Sequence, residues 1–256
     1  MFSAFQELVT GLRESHERLS GLVSSLQAMD VTQPAYPSDW TIADTLSHLG
    51  SGAEITLLIL RHARGDGMEP AQADYVEIWD RWNAKKPSDQ AADSIAVDGV
   101  LVKEIEALDP ESRPSLQAYG SKMALTDFLA MRLDEHVIHT WDIEAGLGRS
   151  AKIDAARLPH LLGRLDKAAA RSGIAQPEAW AMRIAVAEPQ ARFHVRFGER
   201  TTLTVDEESG SPDLTLPAET FVRLVFGRVA SSEISGRWNA ETEDALSRLH
   251  TMFRGY

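Results

Sequence analysis

Three ionisable side chains recur on one face of a predicted helix in the middle of the chain. Glu135 and His139 are four residues apart and Asp142 follows three residues later, inside a run of helix formers, residues 121–146, that contains no proline. At about 100° per residue, this spacing places a carboxylate, an imidazole and a second carboxylate on one stripe. Burying such groups unpaired is costly, so the stripe faces water, forms an ion network or binds a metal.

Apolar neighbours favour an interior position for this stripe. They flank it on both sides: Leu133, Val137, Ile138, Trp141 and Ile143. Polar stripes inside helix bundles are where such folds build metal sites, although a Glu followed four residues later by a cation is also an ordinary surface pair. His136 is a competing ligand, because it lies three residues before His139. Its direction, about 100° away from Glu135, predicts that it packs or faces solvent.

The composition excludes several kinds of site and partner. With 256 residues, 43% hydrophobic and 25% charged, the chain is typical of a soluble globular protein with one large or two smaller domains. A net charge of -12 argues against a nucleic-acid partner, because phosphate binding requires a basic face. We recognise no membrane span and no secretory signal, and expect a cytoplasmic protein without a membrane partner. The lack of cysteine leaves His, Asp and Glu as the strong metal ligands.

Hydrophobic periodicity predicts an all-α first domain. Helices are expected over residues 1–30, 41–64, 73–83, 90–108 and 121–146. Thr41 and Asp44 have the spacing of a capping box at the start of the second helix, which carries His48. These segments are long enough for a four-helix up-and-down bundle over residues 1–147, with its third helix interrupted.

The character of the chain changes after residue 147, and a smaller α+β domain is predicted over residues 151–256. Helices are expected over residues 154–173, 217–226 and 240–253, a β-hairpin over 193–205, and short strands over 211–216 and 233–236. Gly227 stops the middle helix, and Arg228 follows it.

Two motifs resemble the mycothiol-dependent maleylpyruvate isomerase family. Residues 40–49 match its W-T-x-x-D-x-x-x-H-L pattern, and residues 135–142 match its E-x-x-x-H-x-W-D pattern. The resemblance implies a DinB-like metal-binding bundle followed by a sterol-carrier-like C-terminal domain. It also implies that His48, Glu135 and His139 are the ligands of a zinc ion.

The resemblance further implies thiol chemistry at that zinc ion. Two imidazoles and one carboxylate leave a divalent ion with net positive charge and an open position, as in catalytic zinc sites; Ni²⁺, Co²⁺ or Fe²⁺ also suits these ligands. Mycothiol would take the open position as a thiolate. Its sulfur would add to the cis double bond of maleylpyruvate, the new single bond would rotate, and elimination would release fumarylpyruvate.

Two aspartates are candidates for supporting roles beside the ligands. Asp142 is predicted to handle a proton or to orient His139, and Asp44, one turn before His48, is predicted to orient that imidazole.

An arginine near the C-terminus contributes to activity in the family. Arg228 is the position we align with it, with Arg237 as the alternative, and its predicted role is to bind a substrate carboxylate. Arg228 can equally be expected to satisfy the carbonyl groups at its own helix end.

Three functions remain open from the sequence. The first is the isomerase, and the second is transfer of mycothiol to an electrophilic compound. The third is a non-enzymatic, metal-stabilised protein that binds a lipid or another partner. For the two enzymes the expected partners are a small-molecule substrate and a low-molecular-weight thiol, and the protein is expected to be a monomer or homodimer.

Overall fold

The computed structural model describes residues 3–36, 39–109, 115–208, 210–234, 236 and 238–253. The chain divides into two compact units, Met1–Ala151 and Lys152–Tyr256. No helix in the described ranges is both long enough and apolar enough to cross a bilayer.

Long helices dominate the described part of the first unit. They are α1 (Ala4–Ser24), α2 (Ile42–Ala63), α3 (Gln72–Asn83), α4 (Pro87–Glu106) and α5 (Leu125–Gly146). Helix α2 packs against α3, α4 and α5, and α1 packs against α4 and α5. Their facing sides are lined with buried apolar residues, so the predicted helical bundle is confirmed.

The start of α2 is fixed by the predicted capping box. The hydroxyl of Thr41 accepts a hydrogen bond from the Asp44 amide at 3.1 Å, and the Asp44 carboxylate accepts one from the Thr41 amide at 2.9 Å. These bonds satisfy amides that a helix start leaves unpaired. Because they define where the helix begins, they also set the direction of His48, which lies two turns further along.

The prediction that the first 147 residues are all helical is wrong between α4 and α5. Two short antiparallel strands, β1 (Ser115–Ala118) and β2 (Ser121–Ala124), form a hairpin there, and α5 begins only at Leu125. The turn residues Tyr119 and Gly120 both have positive φ, 51° and 74°. Asn or Gly usually occupies the first of two such positions, so a Tyr there gave no turn signal.

The second unit combines one sheet with short helices, as the predicted α+β class requires. Its elements are α6 (Leu158–Leu162), α7 (Leu165–Ser172), β3 (Trp180–Ala187), β4 (Ala191–Phe197), β5 (Thr202–Val205), β6 (Leu214–Pro217), α8 (Ala218–Val225), α9 (Ser231–Ile234) and α10 (Ala240–His250). The strand order is β5-β4-β3-β6, with β3 and β6 parallel and the other pairs antiparallel.

Several predictions for this unit need correction. The hairpin of residues 193–205 is confirmed as β4 and β5, but its neighbour β3 was missed, and the helix predicted over 154–173 is divided into α6 and α7. The strand predicted over 233–236 is wrong at Glu233 and Ile234, which belong to α9, and residue 235 lies outside the described residues. There the Glu233 carboxylate accepts a hydrogen bond from the Ala230 amide at 3.1 Å, which caps the start of a helix.

Candidate metal centre

Three potential metal ligands converge inside the first unit. His48, Glu135 and His139 each offer one donor atom, and these atoms all lie within 4.8 Å of one another. The Oε2 atom of Glu135 is 3.1 Å from Nε2 of His48 and 3.3 Å from Nε2 of His139. The structure therefore brings the three predicted ligands to one point, although 87 residues separate His48 from Glu135.

Two helices and one indole ring position these side chains. His48 projects from α2, while Glu135 and His139 lie one turn apart on α5. The two imidazole rings meet edge to face with centroids 4.8 Å apart, and the ring of Trp40 lies 5.3 Å from His48 and 6.2 Å from His139. Trp40 thus forms an aromatic wall over both imidazoles.

Asp142 lies where it can orient His139. Its Oδ2 atom is 2.9 Å from Nδ1 of His139, and both side chains are buried. A hydrogen on Nδ1 donated to this carboxylate leaves the Nε2 lone pair for a metal. Asp44 does not act in this way on His48. Its carboxylate caps α2 through Thr41, and no hydrogen bond joins it to His48 in the described part of the chain.

The protonation of the three candidate ligands follows from burial and from their mutual contacts. Burial is the largest influence and lowers the pKa of His48. Burial would also lower the pKa of His139, but hydrogen bonds to Asp142 and Glu135 outweigh it and raise that pKa to about 9. Burial would raise the pKa of Glu135, yet hydrogen bonds from the two imidazoles hold it well below its usual range. At neutral pH, Glu135 is therefore anionic, His48 is neutral, and His139 is a positively charged imidazolium.

Two cavities reach this centre, and His48 lines both. The smaller, of about 240 Å³, is also lined by Glu135 and Arg132 and otherwise by mainly apolar side chains. The larger, of about 660 Å³, is lined by Trp40 and by polar residues: Asp44, Ser51, Asp80 and Asn83. His48 and Glu135 are thus accessible to small molecules, whereas His139 is buried behind them.

Comparison with known proteins places the chain in a family. Residues 12–144, just over half of the chain, match the model of the mycothiol maleylpyruvate isomerase N-terminal domain. The chain belongs to the mycothiol maleylpyruvate isomerase family. A comparison with curated protein sequences gave no match.

Solved structures of the mycothiol-dependent maleylpyruvate isomerase have the same fold. The enzyme and its histidine-to-alanine mutant each match with a TM-score of 0.61 and 14% identity, over 90% of this chain and 93% of theirs. The fold class predicted from the sequence is therefore confirmed across both units.

A buried ionic cluster beside the metal centre was missed from the sequence. The Asp98 carboxylate lies 2.8 Å from Nδ1 of His16, 2.9 Å from Nε2 of His136 and 2.9 Å from Nη2 of Arg132. His136 also contacts the Ser15 hydroxyl at 2.8 Å. His136 therefore packs, as predicted, instead of binding the metal. Its partner Asp98 lies 38 residues away on α4, and no local spacing signals that pairing.

Burial alone would raise the pKa of Asp98. The charge and hydrogen bond of His136, the hydrogen bond of His16 and the charge of Arg132 instead hold this pKa well below its usual range. The cluster is therefore built around a buried anion.

The predicted catalytic arginine lies in the second unit. Arg228 is 1% exposed, and its Nη1 donates a hydrogen bond to the Phe226 carbonyl at 2.6 Å. This contact satisfies a carbonyl just beyond the end of α8, and the substrate-binding role of Arg228 stays a prediction. The alternative, Arg237, lies outside the described residues.

Removing one imidazole should empty the metal centre. We expect His48→Ala to lose most of the bound metal, because a carboxylate and one imidazole bind a divalent ion weakly. The matched control is His62→Ala near the other end of α2, whose ring contacts the Gly67 carbonyl instead. Metal content of both purified variants is measured by mass spectrometry. Undiminished metal in His48→Ala would contradict the assignment of this ligand.

Metal binding should release a proton from His139. Because its pKa is about 9 in the metal-free protein, we expect release of nearly one proton at pH 7 and almost none above about pH 10, and hence weaker binding as pH falls below 9. Calorimetry in buffers of different ionisation enthalpy measures this release. Asp142→Asn should reduce the release at pH 7, since it removes a carboxylate that stabilises the imidazolium. A release independent of pH from 7 to 10 would refute the prediction.

Proposed function

We propose that this protein is a zinc- and mycothiol-dependent isomerase that converts the cis double bond of maleylpyruvate, or of a similar small unsaturated keto acid, to trans. The observation that carries the proposal is the convergence of two imidazoles and one carboxylate beside two cavities that both have His48 in their walls. Family membership supports the same reaction class.

The chemistry of the donor set fits a catalytic ion better than a structural one. Structural zinc sites use four protein ligands, whereas catalytic sites use three and keep a position open. A zinc ion held by His48, Glu135 and His139 would supply a positive charge that lowers the pKa of a thiol and stabilises its thiolate.

The protein's own side chains orient the candidate ligands and shield the site from water. Asp142 holds the Nδ1 hydrogen of His139 and so keeps that imidazole in the ligating tautomer. Trp40 and Ile55, in the walls of the two cavities, exclude water from part of the site. Excluding water strengthens the electrostatic interactions between the site and an anionic substrate.

Two cavities meeting at one imidazole suit a reaction between two small molecules. The thiol and the keto acid can each occupy one cavity and both reach the position beside His48. A single closed pocket would force them to compete for the same space.

Turnover of maleylpyruvate is the direct test of this function. We expect the zinc-loaded protein to form fumarylpyruvate only when mycothiol is present, and His48→Ala to lose at least a hundredfold in rate while His62→Ala keeps it. Product is followed by chromatography. Thiol transfer to an electrophile without isomerisation would favour the transferase. Loss of both reactions with zinc still bound would favour a non-enzymatic binding protein.

Arg228 is the second part of the proposal, as a residue that binds a substrate carboxylate. Charge-assisted hydrogen bonds to carboxylates contribute roughly 1.5–3 kcal/mol, so Arg228→Gln should lower kcat/KM about tenfold or more. Arg223→Gln is the matched control at the same helix end, since Arg223 donates to the Arg228 carbonyl and to Glu233. Activity is compared with the melting temperature. If both variants lose activity in proportion to their stability, the role of Arg228 is only structural.

A further inference from the structure

Arg132 is a buried cation with unused hydrogen-bond donors beside the metal centre. It lies one turn before Glu135 on α5 and is 6% exposed. Its Nη2 donates to the Leu49 carbonyl and to Asp98, each at 2.9 Å. Its Nε is buried without a partner, and no hydrogen bond among the described residues uses Nη1. Leaving donors of a buried charge unpaired is costly. Nη1 lies beside Gly52, which lines the same cavity as Arg132, so Nη1 is the donor that calls for an acceptor there.

The structure offers a place for that acceptor. Arg132 forms part of the wall of the 240 Å³ cavity that His48 and Glu135 also line. The rest of the wall is largely apolar and includes Ile55, Phe128 and Met131. A small organic acid matches this lining, because its carbon chain can contact the apolar wall while a carboxylate meets the guanidinium.

Local charge favours an anion in the cavity. The negative charge of Asp98 is shared among hydrogen bonds to His16, His136 and Arg132, so it does not saturate the guanidinium. Glu135 is the carboxylate in the wall of this cavity, and it would offset only one of the two charges of a divalent ion. Arg132 and Glu135 balance each other in the cavity wall, so a bound divalent ion would make the wall positive, and Asp98 beside Arg132 and Asp142 beside His139 would offset part of that charge.

Strain at the same cavity supports a functional role for it. Tyr119, also in the wall, has a φ of 51° in the hairpin turn. A non-glycine residue in this conformation is held at an energetic cost, and such residues concentrate at functional sites.

We propose that Arg132 binds a carboxylate of the substrate in the small cavity and so positions the acid beside the metal. The reaction in which this acid takes part rests on the proposed function, but the anion site does not. Arg132 and Glu135 are three residues apart, about 4.5 Å along the helix axis. That span lets a carboxylate contact the guanidinium while a carbon a few bonds away lies near the open metal position.

Binding of an unreactive diacid tests the site without any turnover. Succinate, which has no double bond, and neutral succinamide are titrated by calorimetry into the zinc-loaded full chain. We expect Arg132→Gln to weaken succinate binding about tenfold or more and to leave succinamide binding unchanged, with the zinc content intact. Unchanged succinate binding, or equal loss for both compounds, would overturn the proposal.

A second variant keeps the test decisive if Arg132→Gln fails to fold. A Cβ atom added at Gly52 would lie 2.9 Å from Nη1 of Arg132, so Gly52→Ala displaces the guanidinium without removing its charge. We expect a lower ratio of succinate to succinamide affinity and a raised KM with little change in kcat. Gly21→Ala is the matched control, because nothing lies within 4 Å of its added Cβ. The wild-type affinity ratio in Gly52→Ala would refute the role of Arg132.

The two proposals fail separately. Succinate binding that depends on Arg132 in a protein that does not isomerise maleylpyruvate would keep the anion site and reject the reaction. Thiol-dependent isomerisation with succinate binding independent of Arg132 would keep the reaction and reject the anion site.

Discussion

The contact of the Glu135 carboxylate with two imidazoles is the interaction on which the rest of the site depends. One imidazole comes from α2 and the other from α5. The two helices must therefore keep a fixed rotation about their axes and a fixed position along them relative to each other. The capping box fixes where α2 begins. Arg132 then ties α5 to α2 by donating to the carbonyl of Leu49, the residue next to His48. A cross-link within one turn of the donor atoms on each helix limits how far those atoms can drift apart.

The same contact also sets the charge balance among these side chains. His139 lies between two carboxylates, Glu135 on Nε2 and Asp142 on Nδ1, and its proton therefore balances part of their charge. A divalent ion bound at Nε2 would replace this proton and leave the Asp142 hydrogen bond in place. The two buried carboxylates thus require a cation beside them, which can be the imidazolium of His139 or a metal ion.

Local signals in the sequence predicted much of the fold and the polar stripe of α5. The family resemblance added His48 to Glu135 and His139, and metal binding by these three residues stays a prediction. The four-residue spacing of Glu135 and His139, the capping box before His48 and the apolar periodicity of the helices are each set by neighbours along the chain. The Tyr119 turn was missed because its conformation does not suit its residue type. Strand β3 was missed because its pattern, Trp180–Ala187, lacks a clear polar and apolar alternation. The role of Asp98 was missed because a contact between two helices produces no periodic pattern in the sequence.

The polar stripe of α5 contains more residues than the two that could bind a metal. On a helical wheel, Asp142, Glu135, His139, Arg132 and His136 fall in this order within about 120°. One edge of the stripe meets the buried Asp98 and satisfies His136 inside the protein. The other edge gathers donor atoms that match a metal. Arg132 lies between the side chains that contact Asp98 and those that could bind a metal. Its Nη2 donates a hydrogen bond to Asp98, while its other nitrogens have no partner among the described residues. Because Arg132 both ties α5 to α2 and forms part of the cavity wall, it would link the position of the proposed metal ligands to that of the proposed substrate.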